Sequence, residues 1–235
     1  MANQFDNVVQ MGGAAGGVIS VEQTNKVLRN TYMLLSMTLL FSAAMAGVSM
    51  AMNVPYGVSL VTSLAAMGLL WFVVPRTANS GAGIGVVFAV TGLLGFGLGP
   101  VLNHYLSLSN GSEIVLLALG ITGAAFLGLS GYVLTTRKDF SFMRNFLVIG
   151  VLVAFIAGIV SLVAALVGYP MPALALTVSA MFAFLMCGMI LWQTSEIVNG
   201  GETNYVLATV GLYVTIYNLF TSLLHLLGAF MGERD

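Results

Sequence analysis

Between Arg144 and Glu196 the chain reads NFLVIGVLVAFIAGIVSLVAALVGYPMPALALTVSAMFAFLMCGMILWQTS, which is 51 consecutive residues without a charge. A helix that crosses a bilayer needs about 20 mostly apolar residues, so this stretch is long enough for two crossings. Its middle holds the segment YPMP at 169–172, and two prolines so close together interrupt a continuous helix. The stretch therefore predicts two transmembrane helices, spans 5 and 6, joined by a short turn.

The remaining charges divide the rest of the chain in the same way. The 46 uncharged residues between Arg29 and Arg76 are broken by the turn-like segment NVPYG at 53–57, which gives spans 1 and 2. The other spans are expected at about 83–105 (span 3), from Ile114 to near Leu134 (span 4) and within Thr203 to Gly232 (span 7). The sequence thus predicts an all-α membrane protein with seven transmembrane helices.

The composition excludes the main classes of soluble protein. Hydrophobic residues make up 59% of the 235 residues and charged residues 6%, at a mean hydropathy of +1.01. A soluble domain carries about 25% charged residues. The chain is too apolar for a disordered protein, and its net charge of −1 provides no basic face for nucleic acid. Cys187 is the only cysteine, which excludes a disulfide scaffold.

Lysine and arginine are distributed unevenly between the two ends of the predicted spans. If the N-terminus is cytoplasmic, six of the seven basic residues lie on the cytoplasmic side: Lys26, Arg29, Arg76, Arg137, Lys138 and Arg144. Only Arg234 then lies outside, so the positive-inside rule predicts a cytoplasmic N-terminus and a periplasmic C-terminus. A re-entrant span 7 with a cytoplasmic C-terminus stays open, because the link before it carries no base.

Residues 1 to about 28 differ in composition from the spans. They are polar and rich in small residues, with the run GGAAGG at 12–17. This composition predicts a flexible cytoplasmic N-terminal tail at 1–28, followed by a transmembrane domain at 29–235. The alternative, an unstructured end without a role, stays open.

Small residues recur at helical spacing within the spans. Four runs are present: Gly81 and Gly85; Gly95 and Gly99; Gly120, Ala124 and Gly128; and Gly150, Ala154 and Gly158. Each run forms a shallow groove that lets a neighbouring helix approach closely. We expect these grooves to be used for packing within the chain, and a contact between copies, hence a homo-oligomer, is the alternative.

Span 7 carries a stripe of small and polar residues along its whole length. This stripe, which we call the seam, consists of Asn204, Ala208, Gly211, Thr215, Asn218, Ser222 and His225. Its alternating steps of four and three residues keep it on one helix face. A polar stripe facing lipid would leave hydrogen-bonding groups unsatisfied, so span 7 is expected to be the inner helix. Packing and a water-filled path explain the seam equally well.

The residue types that support catalysis or metal binding are not arranged for either. Ser130 and His225 superficially resemble the catalytic pair of rhomboid proteases, but their predicted depths differ by roughly 23 Å at about 1.5 Å per residue. A nucleophilic serine needs its base within about 3 Å. His104 and His225 have no carboxylate or thiol at ligand spacing. We therefore expect no enzyme activity, no metal and no cofactor.

An ion pathway normally requires ionisable groups within the spans. Here His225 is the one such group, with His104 at the outer rim of span 3. Four charged residues instead lie at the predicted cytoplasmic helix ends: Arg76, Asp139, Glu196 and Glu202. We interpret them as solvated anchors, with a role in a pathway as the alternative.

Several segments together resemble the Bax inhibitor-type (TMBIM) family of membrane proteins. They are GLGP at 97–100 with Leu102, Ala118 with Thr122 and Phe126, KDFSF at 138–142, and LY at 212–213 with YNLF at 217–220. The segments KVLRNTY at 26–32, YVLTTRKD at 132–139 and GGETNY at 200–205 resemble the bacterial YccA branch in particular. The resemblance runs from about Lys26 to the end of the chain.

The resemblance implies six helices wrapped around a central seventh, in the bacterial inner membrane. It also implies a partner, because members of the YccA branch bind and restrain the membrane-anchored ATP-dependent protease FtsH. Calcium-leak members of the family use two membrane aspartates, and the positions that look equivalent here are Gln193, after Trp192, and Thr215, after Tyr213. An amide and a hydroxyl do not titrate near neutrality, so the leak mechanism is not carried over.

Two functional classes therefore remain. We favour an interaction protein that modulates a membrane protease. The alternative is a calcium or proton leak channel, or a small-molecule conduit, on the same fold. Gln193 and Thr215 discriminate between the two classes, because a pH-gated leak needs a titratable pair at these positions.

Overall fold

The computed structural model describes residues 21–232, and every regular element in that range is a helix. Seven of the helices are long and apolar enough to cross a membrane, which confirms the predicted fold class. They are α1 (Val21–Ala51), α2 (Gly57–Thr77), α3 (Ala82–Leu106), α4 (Gly111–Thr136), α5 (Arg144–Leu166), α6 (Pro172–Val198) and α7 (Tyr205–Met231).

The turns between helices lie where the proline-containing segments predict them. The α1–α2 link contains Pro55 and places Asn53 at a φ of 49°, in the left-handed region that asparagine tolerates. The α5–α6 link contains Gly168 at a φ of 89°, followed by Pro170, and Pro172 is the first residue of α6. Proline is favoured in the first turn of a helix because its missing N–H would have no partner there.

The predicted tail and the first helix overlap. Helix α1 begins at Val21, so residues 21–28 of the predicted tail are helical, and the division of the chain into a tail and a transmembrane domain at residue 28 stays a prediction. The remaining tail residues, 1–20, lie outside the described residues. The helical start is consistent with Glu22 in the first turn, where a carboxylate interacts favourably with the helix dipole.

A proline also shapes α2. Residues Leu69–Val73 form a π-helical turn immediately before Pro75, which follows Val74 at the start of the last helical segment. Proline cannot donate a backbone hydrogen bond, so the regular α-helical pattern is interrupted before it. A π-helical turn accommodates that interruption. The Arg76 side chain donates a hydrogen bond to the Phe72 carbonyl oxygen, which satisfies a backbone acceptor in the same turn.

The most buried helix is α7, as expected for the inner helix. Of its most apolar 18 residues, 61% are buried, compared with 56% for α3 and 11% for the Ser141–Leu166 segment that contains α5. α7 packs against α1, α3, α4 and α6, whereas α2 packs mainly on α3 and α5 mainly on α6. The helix α3 therefore shares the centre of the bundle with α7.

Two of the glycine runs pack against a neighbouring helix and two do not. Gly95 and Gly99 on α3 lie so close to α1 that an added Cβ would collide with Ser42 and Ser49. Gly150 and Gly158 lie against Leu185 and Val178 of α6. By contrast, an added Cβ would have no atom within 4 Å at Gly120 and Gly128 on α4, or at Gly81 and Gly85. Two of the four grooves are thus used for packing within the described chain.

Hydrogen bonds between loops define one end of the bundle. Asn204 Nδ2 donates to the Ala78 carbonyl oxygen at 3.0 Å, which joins the α2–α3 and α6–α7 links. The Phe140 N–H donates to Ser195 Oγ at 3.1 Å, which joins the α4–α5 link to α6. We call this the basic end, because the helix termini that meet there carry Lys26, Arg29, Arg76, Arg137, Lys138 and Arg144. Its assignment to the cytoplasm stays a prediction.

Candidate functional site

The structure brings together the two positions that the family resemblance singled out. Thr215 Oγ1 on α7 donates a hydrogen bond to Gln193 Oε1 on α6 at 3.1 Å. Thr215 is buried and its hydroxyl also lies 2.9 Å from the Gly211 carbonyl oxygen, one turn earlier. Gly211 also borders Gln193, since an added Cβ there would make an ordinary van der Waals contact with Gln193 Nε2 at 3.4 Å. The pair is neutral and complementary, with a hydroxyl donor and an amide acceptor.

Asn204, the first polar residue of the seam, organises the start of α7. Its side-chain oxygen accepts hydrogen bonds from the N–H groups of Val206 and Leu207, which makes it the N-cap of the helix. Its amide nitrogen donates to Ala78 and, at 2.7 Å, to Asn79 Oδ1. Asn204 therefore has a structural role at the basic end rather than lining a path between helices.

The seam residues nearer the other end of α7 have separate partners. His225 Nδ1 lies 2.7 Å from Ser179 Oγ of α6, while Asn218 Nδ2 donates to the Val214 carbonyl oxygen of its own helix at 2.8 Å. Ser222 is buried between them. The seam thus contacts α6 at Thr215 and at His225. Between them, the Asn218 side chain is bonded to the backbone of α7 itself.

The opposite side of α7 is closed by hydroxyl contacts with α1 and α3. The Tyr213 hydroxyl lies 2.5 Å from Ser42 Oγ on α1 and donates to the Thr91 carbonyl oxygen on α3 at 3.3 Å. Tyr213 is 1% exposed. Thr209 Oγ1 lies 3.3 Å from the Thr31 carbonyl oxygen on α1. These contacts fix α7 against the first and third helices.

A cavity of about 330 Å³ opens at the basic end, between α6, α7 and the start of α5. Its lining residues are Arg144, Trp192, Gln193, Glu196, Ile197, Gly201, Glu202, Leu207, Ala208 and Gly211. The Arg144 guanidinium lies over the Trp192 ring, 5.9 Å from its centroid, and Trp192 Nε1 donates to Glu196 Oε1 at 3.1 Å. Gln193 itself lines the cavity, and its partner Thr215 lies one helical turn beyond the lining residue Gly211.

The four predicted end charges divide into two groups. Glu196 and Glu202 line the cavity, and Glu202 Oε1 also accepts from the Asn204 N–H at 2.7 Å. Asp139 and Arg76 lie elsewhere at the basic end. Asp139 Oδ1 accepts from the Ser141 N–H at 2.8 Å, which stabilises the turn before α5. The anchor interpretation fits Arg76 and Asp139, while the two glutamates form part of a concave site.

The neighbouring α4–α5 link holds a cation in a defined position. Lys138 Nζ donates to the Tyr132 hydroxyl at 3.0 Å and lies 5.6 Å from the centre of its ring. This hydrogen bond raises the pKa of the Lys138 ammonium above its ordinary value. Lys138 therefore keeps its positive charge throughout the physiological range, as the positive-inside argument assumes.

Ser130 and His225, which superficially resemble a catalytic pair in the sequence, lie in separate hydrogen-bonded contacts. Ser130 is hydrogen-bonded to Thr194 Oγ1 at 3.2 Å, whereas His225 is paired with Ser179. Ser130 and His225 thus have different partners on α6. Within residues 21–232, no group of three or more His, Cys, Asp or Glu side chains could hold a metal ion.

Sequence reasoning missed the contribution of Arg144 and Trp192 to the site. In the sequence, Arg144 indicates only the orientation of the chain, and Trp192 is identified only as the neighbour of Gln193. A signal was present, since Trp192 and Glu196 are four residues apart on one helix and so share a face. The Ser179–His225 contact had no comparable signal, because it joins two helices that are 46 residues apart in the chain.

Comparison with known proteins places this chain in a family. A family model described as inhibitor of apoptosis-promoting Bax1 matches residues 24–232, which include most of α1 and all of α2–α7. An uncharacterised membrane protein of Vibrio cholerae is 49% identical over 213 residues, covering 91% of this chain and 93% of that protein. The modulator of FtsH protease YccA of Escherichia coli K12 is 47% identical over 216 residues, covering 92% of this chain and 94% of that protein. The chain therefore belongs to the Bax inhibitor family of membrane proteins.

Proposed function

We propose that this protein binds and restrains a membrane-anchored ATP-dependent protease of the FtsH type in the bacterial inner membrane. The observation that carries the proposal is the likeness over 92% of the chain to a protein named as a modulator of FtsH protease. A relative from Escherichia coli O6:H1 that is also 47% identical over 216 residues is named an inner membrane protein, which supports the location. The expected role is that of an interaction protein rather than an enzyme.

The packing of the bundle supports a role as a poor substrate of such a protease. An ATP-driven protease must pull a membrane substrate out of the bilayer, and each backbone group left without a partner in lipid costs several kcal/mol. Here the inner helix α7 is tied to α1 by Tyr213–Ser42 and to α6 by Thr215–Gln193. Engagement followed by slow extraction would occupy the protease and reduce its action on other substrates.

The same contacts argue against the runner-up function. Gln193 and Thr215 form a neutral hydrogen bond where calcium-leak relatives are expected to carry two carboxylates. Neither group changes charge between about pH 6 and 8, so the pair supplies no proton switch in that range. A leak or conduit function would need another gating group.

Co-purification tests the proposal directly. The full chain, tagged and solubilised in mild detergent, is expected to retain an FtsH-type protease whose proteolytic site has been inactivated. A second multi-pass protein of similar size, expressed at the same level, serves as the matched control. Recovery of the protease with both proteins, or with neither, would remove the main functional proposal.

Turnover tests how the protease engages. The polar, glycine-rich N-terminal segment is the proposed starting point for the protease, so deletion of residues 2–20 should lengthen the half-life of this protein. It should also strengthen inhibition of the protease toward other membrane substrates. The deletion keeps Lys26 and Arg29, which preserves the orientation signal. Unchanged turnover would show that the segment is not where degradation begins, without affecting the binding test.

A further inference from the structure

The cavity at the basic end presents charges of both signs that are not paired with each other. Arg144 lies over the face of Trp192, and the indole N–H donates to Glu196. Among the residues that the structure describes, no ion pair joins Arg144 to Glu196 or to Glu202. One cation and two carboxylates therefore line the same concave space with a net charge of −1.

The positions of these groups separate the negative part of the cavity from the positive part. Glu196 Oε2 lies against Gly201, so close that a Cβ on that glycine would collide with it. Glu202 follows Gly201 in the chain, and its Oε1 accepts a hydrogen bond from the Asn204 N–H. The two carboxylates thus lie on the wall formed by the end of α6 and the α6–α7 link, and Arg144 approaches from α5 over the indole ring.

The length of α6 predicts that the charged groups lie at the depth of the lipid headgroups. A helix of 27 residues such as α6 is about 40 Å long, while the hydrocarbon core is about 30 Å thick. Each end of α6 therefore extends about 5 Å into the headgroup region. Glu196 is two residues from the end of α6 and Arg144 is the first residue of α5. Trp192 lies one turn deeper, where the interfacial ring of a tryptophan is favoured.

The size and walls of the cavity suit a small polar group attached to an apolar one. Its volume of about 330 Å³ is at the lower end of the range for ligand sites, which is about 300–1,000 Å³. Leu207 and Ile197 add apolar wall, and Leu207 is 37% exposed. A headgroup can enter such a space while its acyl chains stay in the bilayer.

We propose that this cavity binds the headgroup of an aminophospholipid, phosphatidylethanolamine in particular. Arg144 binds the phosphate, because a guanidinium donates in a fork that matches phosphate oxygens. Glu196 and Glu202 bind the primary ammonium, which donates up to three hydrogen bonds as a lysine ammonium does. The proposal does not rest on binding to a protease.

The same groups predict discrimination between lipids. The quaternary ammonium of phosphatidylcholine keeps its charge but has no N–H to donate to the carboxylates. Aromatic rings bind such cations through their faces, and here Arg144 already lies over the ring of Trp192. Phosphatidylglycerol keeps the phosphate but has no cation for Glu196 and Glu202. Both lipids therefore leave part of the cavity without a partner.

Tryptophan fluorescence provides a direct test, because the chain has two tryptophans. Trp71 lies on α2 and is 65% exposed, so a Trp71→Phe variant leaves Trp192 as the single reporter inside the cavity. Titration of this variant in detergent with phosphatidylethanolamine should change its emission in a saturable way. Phosphatidylcholine and phosphatidylglycerol with the same acyl chains should bind about tenfold more weakly, as for loss of one charge-assisted hydrogen bond. Equal affinity for the three lipids would overturn the proposal.

Substitution of the recognition groups adds a second test. Arg144→Gln and Glu196→Gln should each weaken phosphatidylethanolamine binding about tenfold, measured by native mass spectrometry of the intact protein. Arg137→Gln is the matched control, since it removes a cation from the same end of the bundle outside the cavity, and its affinity should not change. Unchanged affinity in both cavity variants would contradict the assignment. If either variant fails to fold, the fluorescence titration with the three lipids, which leaves the cavity residues unchanged, still tests the proposal.

Two competitors identify the source of the headgroup. Soluble glycerophosphoethanolamine carries the same polar atoms without acyl chains, and it should displace the lipid only weakly. Displacement at the affinity of the lipid would show a site for a free solute and overturn the lipid assignment. A soluble lysine-containing peptide should not displace the lipid, and displacement by it would assign the cavity to a partner's basic side chain instead.

Discussion

The two sides of α7 are built in different ways. On the side toward α1 and α3, which we call the packed side, the Tyr213 hydroxyl lies 2.5 Å from Ser42, and Gly95 lets α1 and α3 approach closely. On the side toward α6, which we call the open side, Gly211 borders a cavity of about 330 Å³. The Gln193–Thr215 hydrogen bond lies one turn deeper on that side.

This difference indicates how one helix combines stability with a site. Close approach of helices without side chains between them maximises van der Waals contact, which is a main source of stability inside a membrane. On the open side, the cavity gives a ligand access to the charged groups at the basic end. We expect substitutions on the packed side to affect folding, and those on the open side to affect binding and conduction.

The largest effect is expected for Gly95→Leu on the packed side. An added Cβ would lie 2.6 Å from Ser42 Oγ and 2.8 Å from Ser42 Cα, so backbone atoms must move. We expect a loss of about 3 kcal/mol or more, measured by thermal unfolding in detergent. Gly85→Leu is the matched control on the same helix, because no atom lies within 4 Å of its added Cβ. Equal stability of the two variants would show that the α1–α3 contact is not the rigid part of the bundle.

The next effect is expected on the open side, for Gln193→Asp combined with Thr215→Asp. The wild-type pair is neutral, so protein reconstituted in liposomes should show little calcium flux that depends on pH between about 6 and 8. Two facing carboxylates share protons and change charge with pH, so the double variant should show a severalfold larger, proton-dependent flux. Wild-type flux that titrates in this range would mean that another group gates a path and that the leak interpretation is correct.

A smaller effect separates the two sides by single hydroxyl groups. Tyr213→Phe removes the hydroxyl that contacts Ser42 and Thr91, and we expect it to cost about 1 kcal/mol of stability. Thr215→Val on the open side should cost about half as much, because Gln193 also reaches the cavity and can find another partner there. A double-mutant cycle of Tyr213→Phe with Ser42→Ala measures the coupling on the packed side. A larger loss of stability for Thr215→Val than for Tyr213→Phe would show that the hydroxyl on the open side stabilises the bundle more than the one on the packed side.

Much of this architecture could be predicted from the sequence, and the physical reasons are specific. The spans follow from charge-free stretches and the breaks from Pro55 and Pro170, because lipid excludes charges and proline cannot continue a helix. The contact between Gln193 and Thr215 could be anticipated only through the family resemblance. The cavity could not, since its formation depends on where Arg144 and the α6–α7 link meet in space.

The glycine runs show the limit of sequence patterns most clearly. Gly95 with Gly99 and Gly120 with Gly128 both recur at helical spacing, yet an added Cβ would collide with α1 at the first pair and would have no atom within 4 Å at the second. Spacing determines that a groove lies on one helix face, but the position of the neighbouring helices determines whether the groove is filled. Mean hydropathy separates the inner helix α7, at 1.5, from the outer segment that contains α5, at 3.0, but it does not identify which helix lies against a given groove.

The smallest effect is expected for Gly128→Leu on the outer face of α4. No atom lies within 4 Å of an added Cβ at Gly128, and the neighbouring Leu127 is 70% exposed. In a monomer the new side chain extends into lipid, where leucine is favourable, so stability should change by less than about 0.5 kcal/mol. If this groove instead packs against a second copy of the chain, the leucine fills it. The particle mass of the variant in detergent would then fall from that of a dimer to that of a monomer, as measured by light scattering. Unchanged mass and unchanged stability would place the groove of α4 against lipid.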